Sequence, residues 1–459
     1  MKLAKADIYS QASSIPALKF EEQQLTSFAG LIVFQKLFES CRLRECLHEA
    51  CAHLEPRHYY SFSTILQCLI VHIVLGYRQL RESDFYREDP LVKRVLGLKS
   101  LPSVPTVSRM LSEFDDQSVA AQQAVNRDLV LERLQKEALH TVTSDFDGSV
   151  QSTKRHAEGT AVGFNKEKKG ARSYYPLFCT VAQTGQVLDV LHRAGNVHDS
   201  KGAMKYVTTC VKSIRERLPL ARLEVRMDSA FFSDAMVQCL EKLGVEYTIS
   251  VPFERFVLLK ERIEKRILWW QVPGSGGSSQ YFESRWKPQS WAKKSRFIFI
   301  RNSVAVQNKG AIQLDLFEPV QQGHEFKVIV TNKTTGAGKV ARFHEGRGYQ
   351  EKIYGELKNQ AQMGYVPARR LVANKVYLLC SLLAHNLSRE LQIQIQEPVR
   401  GTTQKRTVKW VFEGLDTFAS HHHCPSRASD TSTGQINIDP ERKSDCPTRA
   451  PSPSPGVIL

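Results

Sequence analysis

Apolar positions recur at helical spacing through the first third of the chain: Leu31-Ile-Val-Phe, Leu37, Leu47, then an almost unbroken apolar run from Ile65 to Leu75. Near the end of this stretch comes Ser103-Val-Pro-Thr-Val-Ser-Arg-Met-Leu. A Ser cap and an early Pro start a helix there, and Thr106, Ser108 and Arg109 interleave with Val107, Met110 and Leu111. That pattern suits the recognition helix of a helix-turn-helix, with Arg109 reaching DNA. An ordinary capped surface helix is the other reading. From Thr141 the period changes to two. Val142 to Asp147 reads as a strand ending at Gly148, and Pro176–Ala182 and Gln186–His192 form a hairpin about the Gln183-Thr-Gly turn. A helix follows from about Asp199 to Arg217. Then come a strand from Leu223 to Asp228, a helix from Ser233 or Asp234 to Gly244, and a strand from Val245.

Three strands, then helix, strand, helix, strand combine an antiparallel meander with βαβ crossovers. This is the order of the ribonuclease-H-like fold, an α/β architecture with a mixed five-stranded sheet flanked by helices. A β-rich stretch with Trp269, Trp270, Trp286 and Trp291 interrupts it, and two helices are expected after that, at about 343–360 and 370–394. The expected organisation is a helical DNA-binding domain over 1–137, a catalytic core over 138–252 and 335–395, a β-rich insertion over 253–334, and a C-terminal segment over 396–459. Its tail from about Ser420, which begins with a His run at 421–423, is rich in Ser, Pro, Thr and charge and should be disordered.

Composition sharpens the picture. The 459 residues carry 63 Lys+Arg against 47 Asp+Glu, a net charge of +16, which points to a polyanion such as nucleic acid. The N-terminus has no apolar signal-peptide core, and the apolar stretch Leu371–Leu387 is broken by Asn374, Lys375, His385 and Asn386. No membrane association and a cytoplasmic location are expected. The ten Cys should be free thiols. Cys41, Cys46 and Cys51, with His48 and His53, resemble a metal cluster, but their spacing favours buried helix cysteines over zinc.

Asp147 and Asp228 end strands that are neighbours in this fold, so their carboxylates meet at one sheet edge. Asp145 shares a strand face with Asp147; the Gly-Ser turn after Asp147 favours the latter. Carboxylate oxygens suit hard cations such as Mg2+. The stretch His344-Glu-Gly-Arg-Gly-Tyr-Gln-Glu-Lys-Ile-Tyr-Gly-Glu-Leu-Lys offers a third carboxylate. On one continuous helix at roughly 100° per residue, His344, Arg347, Glu351 and Lys358 share a face, while Glu345 and Glu356 lie off it. Geometry therefore selects Glu351. The basic loop after the first strand (Lys154, Arg155, His156, Lys166, Lys168, Lys169, Arg172) is placed to hold phosphate backbone, with a solvated loop as the duller reading.

Arg347-x3-Glu351-x6-Lys358 resembles the Y-R-E-K signature of DDE transposases of bacterial insertion sequences, the group 1 type. So does the frame of Asp147-Gly-Ser, Ser173-Tyr-Tyr-Pro-Leu, Gly195-Asn, Val225-Arg-Met-Asp-Ser, a β insertion and Ala373-Asn, over about residues 100–390. His344 stands where that signature has Tyr. The resemblance implies cut-and-paste transposition: metal-dependent hydrolysis at transposon ends, then strand transfer. It implies Asp147, Asp228 and Glu351 as catalytic metal ligands for two Mg2+ ions, with Mn2+ able to substitute. It implies His344, Arg347 and Lys358 as phosphate-gripping groups. The expected partners are terminal inverted repeats and target DNA, bound as duplex by a homodimer in the bacterial nucleoid. In some members an insertion Trp stacks on a flipped base. The alternatives are another ribonuclease-H-like nuclease or a catalytically impaired DNA-binding derivative.

Overall fold

In the computed structural model, residues 26–395 are described, apart from 55–58, 155, 164, 166–167, 199, 304–319 and 322–323. The helical first third consists of α1 (Leu31–Ser40), α2 (Leu43–Ala50), α3 (Phe62–Val74), α4 (Pro90–Leu96), α5 (Val104–Leu111) and α6 (Asp116–Lys136). Their starts follow local chemistry. Ser61, Asp89, Ser103 and Asp115 each accept a hydrogen bond from a first-turn backbone N–H, and Pro lies in the first turn of α4 and α5.

The strands are β1 (Thr141–Gly148), β2 (Gln151–Ser152), β3 (Ala161–Val162), β4 (Arg172–Tyr174), β5 (Leu177–Val181), β6 (Val187–Leu191), β7 (Arg222–Met227) and β8 (Glu246–Ser250). Helix α7 (Ala203–Arg217) precedes β7, and α8 (Asp234–Lys242) precedes β8. The order β6-β5-β1-β7-β8, antiparallel on the β5–β6 side and parallel from β1 through β8, is that of the ribonuclease-H-like sheet. Strands β2, β4 and β3 form a separate small sheet that continues from β1.

The following segment contains α9 (Val257–Glu264), β9 (Trp270–Gln271), β10 (Ser279–Trp286), β11 (Ser295–Ser303), β12 (Val320–Gln321) and β13 (His324–Thr331). It is not a separate layer. β13 pairs antiparallel with β8, and the same sheet runs on through β11 and β10 to β9. Phe282, Trp286, Trp291, Phe297 and Val330 share one apolar core with Val142 and Phe146 of β1 and Val225 and Met227 of β7.

The last elements are α10 (Ala337–Glu345), α11 (Tyr349–Asn359) and α12 (Leu371–Ile395). α12 is buried along most of its length, including its polar groups. Asn386 donates to Asn126 of α6 at 2.8 Å and accepts the backbone N–H of Val187 at 2.8 Å. Those polar partners explain its interrupted hydropathy. No helix among the described residues is long and apolar enough to cross a membrane. Helices α1–α5 bury their apolar faces with α11, α12 and the β5–β6 face, in one continuous core. The expected tail and the His421 run lie outside the described residues.

Candidate active site

Strands β1 and β7 carry an alternating row of polar side chains into one sheet face. Thr143 of β1 donates to Glu224 of β7 at 2.9 Å, and Glu224 with Glu246 of β8 holds the buried Lys333 ammonium. One step along, Asp145 receives both Nε and Nη2 of Arg226, at 2.6 and 2.7 Å. Asp145 is 1% exposed. Burial pushes its carboxyl up, and the Arg226 guanidinium pulls it back. Asp145 is thus enclosed in an interior ion pair and faces no substrate.

The next residues of the same row are Asp147 and Asp228. The last paired register between the two strands is Phe146 with Met227, and each aspartate follows its partner by one residue. Both therefore emerge at the same end of two hydrogen-bonded parallel strands. Asp147 Oδ1 accepts the Gly148 N–H at 2.8 Å. Asp228 Oδ1 accepts the Ala230 N–H at 3.0 Å, capping a short helical turn over Ser229–Phe231. Gly148 is required there, because the Tyr175 ring and hydroxyl fill the space a Cβ would need.

Helix α11 is fastened across the end of β1. Gln350 Nε2 donates to the Asp145 carbonyl at 3.0 Å, and the Tyr354 hydroxyl donates to the Asp147 carbonyl at 2.9 Å. Arg347, in the turn before α11, places Nη1 3.1 Å from Asp147 Oδ2. Glu351 lies four residues after Arg347 and three before Tyr354, on the flank of α11 between two groups that contact Asp147. It is exposed, and Lys358 is half-buried farther along.

The signature segment is not one continuous helix. α10 ends at Glu345, and a tight helical turn over Gly346–Gly348 separates it from α11. Gly346 is needed because Arg226 Nη1 occupies the place of a Cβ on its way to the Phe343 carbonyl, 2.9 Å away. The break corrects the shared-face reading of His344. Its Nδ1 pairs with Thr248 Oγ1 at 2.8 Å and its Nε2 with Ser250 Oγ at 2.9 Å, both on β8. His344 is buried, and burial pushes its pKa down to about 3. It is a neutral strut between α10 and the sheet, and it presents no donor to a phosphate.

The other expected contact residues divide. Arg109 is exposed on α5, as are Lys168 and Lys169 beyond β3. Arg172 is held within the small sheet, where it donates to the hydroxyl and the carbonyl of Thr160. Arg155 and Lys166 lie outside the described residues. Of the four insertion tryptophans, Trp286 and Trp291 are buried, Trp269 stacks edge-on against Phe282, and Trp270 is 62% exposed. Sequence reasoning missed two groups: Tyr175, whose one signal was its place beside Ser173 and Pro176, and the Arg369–Arg370 pair.

The donor set of Asp147, Asp228 and Glu351 consists of carboxylate oxygens, the chemistry that fits Mg2+ or Mn2+. Among the described residues, no three His, Cys, Asp or Glu side chains already stand close enough to hold an ion. This covers the Cys41–His53 stretch as well, where Cys51 is a buried thiol pushed up to about 12.

The family model for transposase DDE domain group 1 matches residues 11–410. The chain belongs to that family. It is a transposase, an enzyme that cleaves and transfers DNA strands. No curated relative matches it. Among solved structures, this transposase is similar to piggyBac transposase in a synaptic complex with hairpin DNA, at 10% identity and a TM-score of 0.45, over 85% of this chain and 79% of that one. It is also similar to Mos1 transposase in a paired-end complex with the left transposon end, at 12% identity and a TM-score of 0.18, over 42% of this chain and 60% of that one.

Proposed function

We propose that this transposase excises and inserts its element by a cut-and-paste route, with Asp147, Asp228 and Glu351 as the catalytic carboxylates. The observation that carries this reading is the emergence of Asp147 and Asp228 side by side from β1 and β7, with α11 fastened over β1 through Gln350 and Tyr354. The three carboxylates would hold Mg2+, or Mn2+ in its place. A bound pair of such ions supplies activation of the attacking oxygen and stabilisation of the leaving oxygen in phosphodiester displacement. The protein's own groups do the rest. Lys358 lies two turns beyond Glu351 on α11 and Arg347 in the turn before it, and both would take the phosphates that flank the cut. Lys168 and Lys169 would hold backbone next to the small sheet, and Arg109 would contact the duplex from α5. Among the tryptophans of the described residues, Trp270 is the one exposed enough to stack on an unpaired base. The helical region to about residue 137 would serve end recognition. Because two ends must be joined, the complex with DNA would hold two copies of the chain.

The test is incubation of the purified full chain with duplex DNA bearing the element's terminal repeats and Mg2+. Nicked ends with a free 3′-hydroxyl, followed by joining to a second DNA, are expected. Cleavage without joining favours a nuclease of the same fold, and unaltered DNA across a range of salts overturns the reading.

A further inference from the structure

Three separate elements bring cations together where the helical region, the small sheet and α12 meet. The segment that joins α11 to α12 ends in Pro367-Ala-Arg369-Arg370. Its backbone is held firmly. The Arg369 carbonyl accepts the Glu158 N–H at 2.8 Å, and the Leu371 N–H donates to Glu158 Oε2 at 2.9 Å. Asn374 closes the turn by bonding both the N–H and the carbonyl of Ala368, each at 3.0 Å. Arg370 reaches the other way and donates to the carbonyl of Ser112, the residue that caps the end of α5. Arg109, on the last turn of α5, is exposed. So are Arg369, Arg370 and, just beyond β2, Lys154.

Among the described residues, no carboxylate forms an ion pair with Arg109, Lys154, Arg369 or Arg370. The interior and site arginines of the same chain, by contrast, are paired: Arg133 with Glu390, Arg226 with Asp145, Arg347 with Asp147 and Arg389 with Glu356. Glu158 lies against this turn, and its Oε2 accepts the Leu371 N–H. Arg369 and Arg370 sit on a firmly held turn and, among the described residues, form no ion pair, so their charge can meet an external anion. The strip also has a direction. It begins at α5 and ends at β2, which leaves β1 three residues after Gly148 and is tied to the segment before α12 by Gln151 Nε2 to the Met363 carbonyl at 2.6 Å.

We propose that Arg369 and Arg370, with Arg109 and Lys154, form a phosphate-binding strip. It carries the DNA backbone from α5 to the edge where Asp147 lies. This rests on the transposase reading above and names residues that the signature does not contain. The two arginines contact phosphate oxygens, not bases. They add affinity that depends on salt and not on sequence.

The test is the salt dependence of duplex binding by the full chain, measured by fluorescence anisotropy with a labelled mixed-sequence duplex of about 30 base pairs. Each lost phosphate contact lowers the slope of log affinity against log salt by about 0.9. Arg369→Ala should lower it by about that amount, and the Arg369→Ala/Arg370→Ala pair by about twice as much. Arg369→Lys should keep most of the slope, because a point charge serves a phosphate. Arg369→Ala removes an exposed side chain, so its melting temperature should not change. Lys212→Ala, on the exposed side of α7, is the control and should leave the slope unchanged. Wild-type binding with an unaltered slope in Arg369→Ala and in the pair overturns the strip alone. An equal loss in Lys212→Ala also overturns it, since any surface charge would then serve. A wild-type chain that binds no duplex at any salt overturns the DNA contacts proposed above and the strip with them.

Discussion

Arg347 Nη1 lies 3.1 Å from Asp147 Oδ2, so a cation four residues before Glu351 neutralises a carboxylate proposed to hold metal. The pair is partly exposed, at 23% for Arg347 and 21% for Asp147. A metal ion and this guanidinium compete for the same oxygen. Under the proposed function the guanidinium turns to a phosphate once DNA is bound.

Arg347→Ala should therefore bind Mn2+ more tightly than the wild type when DNA is absent. Partly exposed ion pairs contribute about 0.2–1 kcal/mol, so the gain should be up to about fivefold. Electron paramagnetic resonance titration of free Mn2+ reads this directly. Equal or weaker binding shows that the pair does not gate the site. The same variant should lose affinity for DNA ends.

Asp147→Asn, Asp228→Asn and Glu351→Gln should each lower end cleavage by about a thousandfold or more while leaving DNA affinity nearly intact. Asp145→Asn should behave differently. It strips the partner from Arg226 inside the protein, so melting should fall before activity is even considered. A Glu351→Gln protein that cuts at the normal rate would move the third carboxylate elsewhere.

The position of α11 depends on a buried ion pair. Arg389 of α12, 1% exposed in its side chain, meets Glu356 of α11, whose carboxyl burial pushes up and the guanidinium pulls down. Arg389→Met strands that carboxylate and should cost about 3–5 kcal/mol in denaturant unfolding. The double change Arg389→Met/Glu356→Leu should recover much of the loss. If the single and double variants melt alike, the pair does not stabilise α11.

Three buried histidines and the half-buried His192 make the fold acid-sensitive. Burial pushes His72 down to about 4, and His192, His344 and His385 down to about 3. In the unfolded chain each titrates near 6.5, so below that pH the unfolded state binds protons that the folded state refuses. Stability is complete above about pH 6.5 and is lost as pH falls toward these folded values, by about 1.4 kcal/mol per unit for each histidine. His344→Gln should flatten the pH dependence of unfolding by about one proton between pH 4 and 6. An unchanged slope means that His344 is not held neutral.

Trp270→Ala should leave stability within about 0.5 kcal/mol of the wild type, because the side chain is mostly exposed. Trp286→Ala should cost about 3–5 kcal/mol, because its ring is packed against Phe256 and Phe297. If Trp270 stacks on an unpaired base, its loss slows processing of the ends without changing the melting temperature. A Trp270→Ala protein with normal end processing removes it from that role.

Much of the fold was legible because apolar periodicity is local. β1, the β5–β6 hairpin, α7, β7, α8, β8 and α12 all fall within a few residues of where the pattern puts them. The paired emergence of Asp147 and Asp228 followed from strand order. What failed was the extension of one helical wheel across Gly346-Arg347-Gly348. Two glycines around Arg347 were a visible warning of a break, but the reason for it was not, since Arg226 enters from a strand far away in sequence. Thr248 and Ser250, which claim His344, are equally remote. The joining of the insertion to β8 was hidden for the same reason: strand partners chosen across 80 residues leave no periodic trace in either segment. Arg369 and Arg370 carry no spacing or motif that marks them out in the sequence.

The backbone ladder from β1 through β7 and β8 into β13, β11 and β10 has a mechanical consequence. Hydrogen-bonded strands resist sliding past one another, so the carboxylate edge and the far hairpin behave as one plate. The spacing between the proposed carboxylate site and the aromatic end of the insertion is then a built-in gauge, set by the number of strands between them. β8 has a strand on both sides, so shortening the chain by removing 253–334 would bare a naked edge, open to pairing with another molecule. Changes in reach between the two ends of this plate must come from the loops at its rim.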